Sequence, residues 1–285
     1  MDQTTEDIGP ARVVRGDAEP GAQLTGHFEL LHDFRSRALG DTRRVSVYLP
    51  PGYETSDAHY PVLYLQDGQN LFDPGRAFVP GQDWRLDETA QALIESGQLA
   101  PLIMVGVDHG DVKRIDEYTP THDPRRRQGG RLDAYGRMLV DELKPWIDQY
   151  LRTRPDPAHT GLGGSSLGGL AALEIGLARP DVFGRLAVLS PSLWWDKRRA
   201  LDRARALDRR LDLRVWLDAG TDEGPGTLHH IRMLKNILIA RGWRLGRDLH
   251  YREVRGGRHS ELDWASRAGD VLRALFPPDG DAPRP

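Results

Sequence analysis

Two hydrophobic periods alternate along the chain and together predict the elements of one domain. Residues 43–49 alternate polar and apolar side chains, as a strand with one wet face does. Residues 62–65 and 102–107 are continuous apolar runs, which suit parallel strands buried on both faces. Over 84–94 and 132–151 the apolar positions instead recur every three or four residues. In the second stretch Leu132, Tyr135, Leu139, Leu143, Trp146, Ile147 and Tyr150 share one helical face, and Pro145 predicts a kink. Strands are further expected at 160–163, 186–189, 213–217 and 249–254, and helices at 167–178, 228–240 and 262–275. Strand and helix alternating in this way predict an α/β domain: a mostly parallel central sheet with helices on both faces. The flanks, 1–22 and 277–285, are polar and carry prolines, so they read as disordered tails around a domain spanning 23–276. No internal repeat or second-domain linker is visible.

Composition narrows the chemistry. The 285 residues are 39% hydrophobic, enough for a substantial core, and 39 Lys and Arg face 42 Asp and Glu. Such a balance provides no broad field for nucleic acid or an anionic membrane, and Arg125, Arg126 and Arg127 read as a solvated loop. The absence of Cys excludes thiol catalysis, disulfides and Cys-based metal sites, so hydrolytic chemistry would rest on oxygen nucleophiles. Residues 1–7 are acidic and unlike a signal peptide, and no segment is long and apolar enough to span a bilayer. A soluble, cytoplasmic protein is expected; its oligomeric state is left open.

Gly164-Ser165-Ser166-Leu167-Gly168 falls between a short strand and an Ala/Leu-rich helix. That is the nucleophile-elbow pattern of α/β hydrolases, in which flanking glycines let a strained serine turn pass its neighbours. Ser166 is therefore the candidate nucleophile, and a serine needs a histidine base near neutral pH. The chain order serine, acid, histidine removes the six histidines before Ser166; His229 and His230 fall in a helical pattern and His250 in a strand. His259 remains, on a glycine-rich loop after the last strand, where such sheets build sites. Asp218, Asp222 and Glu223 compete for the acid, the latter two lying past the turn at Gly220 and better placed. For an oxyanion hole the backbone N–H of Leu167 is one expected donor, and that of Gly68 or Gln69, after the strand at 62–65, is the other.

Six ordered segments, around Asp67-Gly68, Arg114 to Pro120, Gly164 to Gly169, Ser190 to Trp195, Gly220 to Glu223 and Gly257 to His259, resemble the Putative esterase family of α/β hydrolases. Enterochelin and trilactone-siderophore esterases, feruloyl and acetyl-xylan esterases and S-formylglutathione hydrolase belong to it. The resemblance implies a Ser-His-acid mechanism on small-molecule esters without metal or organic cofactor. It favours Glu223 over Asp222 as the acid and implies that Trp194 and Trp195 line the substrate cleft. The long N-terminal domain of enterochelin esterases and the cysteines of formylglutathione hydrolases are absent. An acyltransferase using the same acyl-enzyme, or an inactive binding protein on this fold, are the alternative readings.

Overall fold

The computed structural model describes residues 8–16 and 21–278. In chain order its strands are β1 (Arg12–Arg15), β2 (His27–Ser36), β3 (Asp41–Leu49), β4 (Val62–Gln66), β5 (Ile103–Val107), β6 (His122–Asp123), β7 (Gln128–Gly129), β8 (Thr160–Ser165), β9 (Arg185–Leu189), β10 (Arg214–Gly220) and β11 (Leu249–Val254). The α-helices are α1 (Leu86–Glu95), α2 (Arg114–Tyr118), α3 (Leu132–Arg137), α4 (Lys144–Tyr150), α5 (Leu167–Ala178), α6 (Arg199–Arg205), α7 (Pro225–Ala240) and α8 (Glu261–Leu275).

Nine strands make one sheet in the order β1-β2-β3-β5-β4-β8-β9-β10-β11, and β6 with β7 forms a separate small hairpin. From β5 to β11 all neighbours are parallel, while β1, β2 and β3 add an antiparallel edge. Two hydrophobic clusters cover the two faces: α3 to α7 pack on one, and α1 with α8 on the other. The continuous apolar runs are explained by this sandwich, since every residue of β4 and β5 is buried. Among the described residues no helix is long and apolar enough to cross a membrane.

Three expectations change. β3 has no wet face beyond its first residues: Ser46 and Tyr48 are buried, because the face they point to is covered by the cluster that includes Phe28, Phe72, Leu86 and Ala90. Part of the expected N-terminal tail, Arg12–Arg15, is a strand, because the free edge of β2 offers it backbone partners. The rest of that tail (1–7 and 17–20), like 279–285 of the C-terminal one, lies outside the described residues. Between α3 and α4 the chain passes through a π-helical segment, Met138–Leu143, just ahead of Pro145. The wider turn accommodates a residue with no N–H to donate, so the helix continues without a break. β2 itself gave no period-two signal, because a bulge between Leu31 and Phe34, with Asp33 at φ 52°, breaks the alternation.

Candidate active site

Parallel strands put their carboxyl ends on one edge, and three loops from that edge converge. β8 runs into Ser166, β10 into the loop carrying Glu223, and β11 into the loop carrying His259. Ser166 has φ 55° and ψ −119°, a conformation that costs a non-glycine residue about 1–3 kcal/mol. Its backbone is pinned on both sides: its N–H donates to the Leu189 carbonyl at 3.0 Å and its carbonyl accepts from the Ser192 N–H at 2.9 Å. The flanking glycines are required by contact, since a Cβ on Gly164 would lie 2.9 Å from the Gly168 backbone carbon. The serine also stands at the N-cap position of α5, the positive end of that helix's dipole.

The Ser166 Oγ lies 2.9 Å from His259 Nε2, and His259 Nδ1 lies 2.8 Å from Glu223 Oε2. Glu223, not Asp222, therefore meets the histidine; Asp222 is exposed and bonds to the Thr221 hydroxyl. Asp218 is wholly buried behind the site and accepts from Trp216 Nε1 at 2.7 Å. The other Glu223 oxygen accepts from the Gly220 N–H at 2.7 Å and from the Ser190 hydroxyl at 2.6 Å. Burial would raise the Glu223 carboxyl, but the hydrogen bonds from His259, Ser190 and Gly220 outweigh it and hold the group below its ordinary range.

Behind this chain stands a cation that sequence reasoning did not single out. Arg267 is 2% exposed on the inner face of α8. Its Nη2 donates to Ser190 Oγ at 2.7 Å and lies 3.6 Å from Glu223 Oε1, while Nε pairs with Asp218 Oδ2 at 3.0 Å. Burial pushes the Asp218 carboxyl up to about 6, against the pull of Arg267. Trp264, one turn earlier, donates to Ser190 Oγ and makes an edge-to-face contact with the His259 ring, 4.9 Å centroid to centroid at 80°. The signal was present: Trp264, Ala268, Val271 and Leu275 form the apolar stripe of α8, and Arg267 is a charge within it.

On the other side of the serine, Asp67 adopts a left-handed conformation and both its oxygens take Arg114, at 2.6 and 2.7 Å. The Tyr118 hydroxyl accepts from the Asp67 N–H, and the Arg114 guanidinium lies 5.3 Å from the Tyr118 ring centre. Glu117 is buried against Arg43. The Arg114-to-Pro120 segment thus fixes the loop that begins at Asp67. Packing on β5 accounts for glycine at position 68. A Cβ there would meet the backbone of Gly106 at 2.6 Å. The Gln69 side chain turns away from the serine and its Oε1 accepts from the His109 N–H.

Ser166 opens into a cavity of about 440 Å³, whose apolar wall is Phe78, Val79 and Trp264 and whose polar wall includes Asn70, His109, Arg114 and Glu261. Neither Trp194 nor Trp195 lines it. The segment arrives where expected, with Ser192 Oγ 3.3 Å from Ser166 Oγ, but the rings turn elsewhere. Trp195 is buried and donates to the Thr121 carbonyl; Trp194 is 42% exposed with the Arg126 guanidinium 4.7 Å from its ring. Core packing claims the first ring and a surface cation covers the second. Phe78, 77% exposed at the cleft, is the aromatic side chain that the sequence did not single out.

The model of the family described as Putative esterase matches residues 36–271. Over an alignment of 268 positions that covers 88% of this chain and 55% of the relative, the chain is 27% identical to the iron(III) enterobactin esterase of Dickeya dadantii. Over 163 aligned positions that cover 55% of this chain and 20% of the relative, it is 31% identical to the endo-1,4-beta-xylanase/feruloyl esterase of Xylanibacter ruminicola. Among solved structures, the BES protein from Bacillus cereus superposes with a TM-score of 0.73 at 21% identity, over 90% of this chain and 98% of that one.

Proposed function

The chain belongs to the Putative esterase family, whose members are carboxylesterase-type hydrolases, and from that premise we propose that it hydrolyses esters through an acyl-enzyme on Ser166. The observation that carries the reading is the unbroken chain from Ser166 Oγ through His259 to Glu223, at 2.9 and 2.8 Å. His259, with Nδ1–H donated to Glu223, takes the serine proton at Nε2 as Oγ attacks the ester carbonyl. It then gives that proton to the departing alcohol. Water, activated by the same nitrogen, attacks the acyl-enzyme and regenerates the serine. The Leu167 N–H and an N–H of the Gly68–Gln69 turn supply the oxyanion hole. No step calls on a metal or organic cofactor.

The substrate in this reading is a short-chain or aromatic ester. Two relatives are named as enterobactin and feruloyl esterases, and the cleft sets an exposed phenyl ring and an indole opposite polar groups. An aryl or short acyl group would lie against Phe78 and Trp264. A panel of p-nitrophenyl esters of rising chain length, with feruloyl, acetyl-sugar and trilactone esters, tests this. Turnover should be high for short and aryl esters and should fall through the long-chain range; a rate that climbs with chain length would contradict it.

A further inference from the structure

The cleft over Ser166 carries a negative charge that its own walls leave unmatched. Besides its histidines, the ionisable side chains lining it are Asp67, Arg114 and Glu261. Asp67 and Arg114 neutralise each other, with each carboxylate oxygen taking one guanidinium nitrogen at 2.6 and 2.7 Å. The His109 ring accepts the Asp111 N–H at Nδ1, 3.0 Å away, which is the role of a neutral imidazole. Glu261 remains. Its carboxylate accepts a hydrogen bond from a neutral amide, Asn70 Nδ2 to Oε1 at 3.3 Å, and among the described residues no cation pairs with it within 4 Å. Burial raises the Glu261 carboxyl, Asp67 adds to the rise, and the more distant attraction of His259 and Arg114 does not offset them.

The same amide places an aromatic ring in the cavity. Asn70 is buried, and while its Nδ2 donates to Glu261 its Oδ1 accepts the Phe78 N–H at 2.9 Å. One side chain, on the turn after β4, thus sets both the carboxylate and the backbone that carries the ring. The Phe78 ring is exposed at the cleft, whereas Trp194, outside it, is already covered by Arg126. The face of an aromatic ring and a carboxylate attract the same kind of group, a cation that gives up its water easily.

We propose that Glu261 and Phe78, both held by Asn70, form a cation subsite in this cleft, so that the preferred substrate is an ester bearing an ammonium group and anionic esters are turned away. Resting on the esterase reading, this gives Glu261 a specificity-determining role outside the proton relay. An ammonium group supplies the partly buried carboxylate with a counter-charge, and Phe78 covers its methyl or methylene groups. A carboxylate on the substrate would instead meet Glu261 where the dielectric is lower than in water and repulsion is stronger.

Three p-nitrophenyl esters of similar length test the subsite: γ-trimethylammoniobutyrate, its uncharged isostere with a tert-butyl group in place of the ammonium, and hydrogen adipate. From cation to isostere, and again from isostere to anion, kcat/KM should fall by about tenfold, chiefly through KM. The spread should narrow as salt is raised. In Glu261→Gln it should shrink to about twofold or less, because the charge that sorts the esters is gone. In Phe78→Leu the cation should lose part of its lead over the isostere while the anion stays disfavoured. A merely structural Glu261 would slow all three esters alike. Phenyltrimethylammonium, titrated calorimetrically into Ser166→Ala, reads the subsite without turnover and should bind more weakly once Glu261→Gln is added. If no ester is hydrolysed while this cation still binds through Glu261, the subsite stands and the esterase reading falls. Three results would overturn the subsite: wild-type kcat/KM values that are alike or favour the anion, a folded Glu261→Gln variant that keeps the wild-type preference, or no binding of phenyltrimethylammonium at millimolar concentration. Should Glu261→Gln fail to fold, an undiminished lead of the cation in Phe78→Leu overturns it instead.

Discussion

Ser166 is held at a positive φ by hydrogen bonds on both sides, and its Oγ lies 2.9 Å from His259 Nε2. Ser166→Ala should lower kcat by about three orders of magnitude or more with the fold intact, while Ser165→Ala should have a small effect; steady-state kinetics on p-nitrophenyl acetate checks both. Glu223 and Asp222 separate in the same assay. Glu223→Gln should cost on the order of ten-thousandfold in kcat, as when the orienting carboxylate of a triad becomes an amide, and Asp222→Asn little. In the proposed mechanism Arg267 would act through Glu223 as a positioning residue. In Arg267→Met two buried carboxylates lose their cation, and both carboxyls rise. Ionised Glu223 is then reached only at higher pH, so the acid limb of the kcat/KM profile should move upward, with kcat falling more than KM changes. Arg267→Lys should restore part of the shift. Loss of the buried cation should also destabilise the fold by about 3–5 kcal/mol, measurable by urea unfolding.

Among the elements, the acid and histidine loops approach each other through glycines. A Cβ on Gly220 would lie 2.1 Å from the Gly257 carbonyl oxygen, a backbone atom that cannot swing aside. Gly220→Ala should therefore separate the two loops, lowering both the unfolding temperature and kcat, with a stability loss of about 1–3 kcal/mol as for other overpacked sites. On the loop before α1, Phe78 presents a ring to the cleft, held by its N–H donating to Asn70 Oδ1 at 2.9 Å. Phe78→Ala should raise KM for aryl esters while leaving kcat nearly unchanged, a loss of about 1–3 kcal/mol for one hydrophobic contact surface. Trp194→Ala, outside the cavity, should do less.

Across the whole molecule, what could be read in the sequence follows from which physical signals are local. Continuous apolar runs disclosed β4 and β5, and the Ala/Leu-rich stretch over 167–178 matched α5 residue for residue, because an element buried on every side is written as a run of apolar or small neighbours. The serine, the histidine and the acid loop were visible because strand ends share an edge in this architecture. What escaped depends on long-range packing. The bulge in β2 hid its period, the edge strand β1 is defined by its partner, and ring orientation decides that Trp195 is core while Phe78 faces the cleft. Arg267 was concealed among the many charges of α8, although its place in the apolar stripe marks it.

The central claim, a nucleophilic serine activated by His259, is tested most directly by covalent labelling. A fluorophosphonate probe followed by peptide mass spectrometry should place one adduct on Ser166. The adduct should vanish in Ser166→Ala, persist in Ser165→Ala, and form far more slowly in His259→Ala. An unlabelled but folded protein, or an adduct on a serine other than Ser166, would contradict the account.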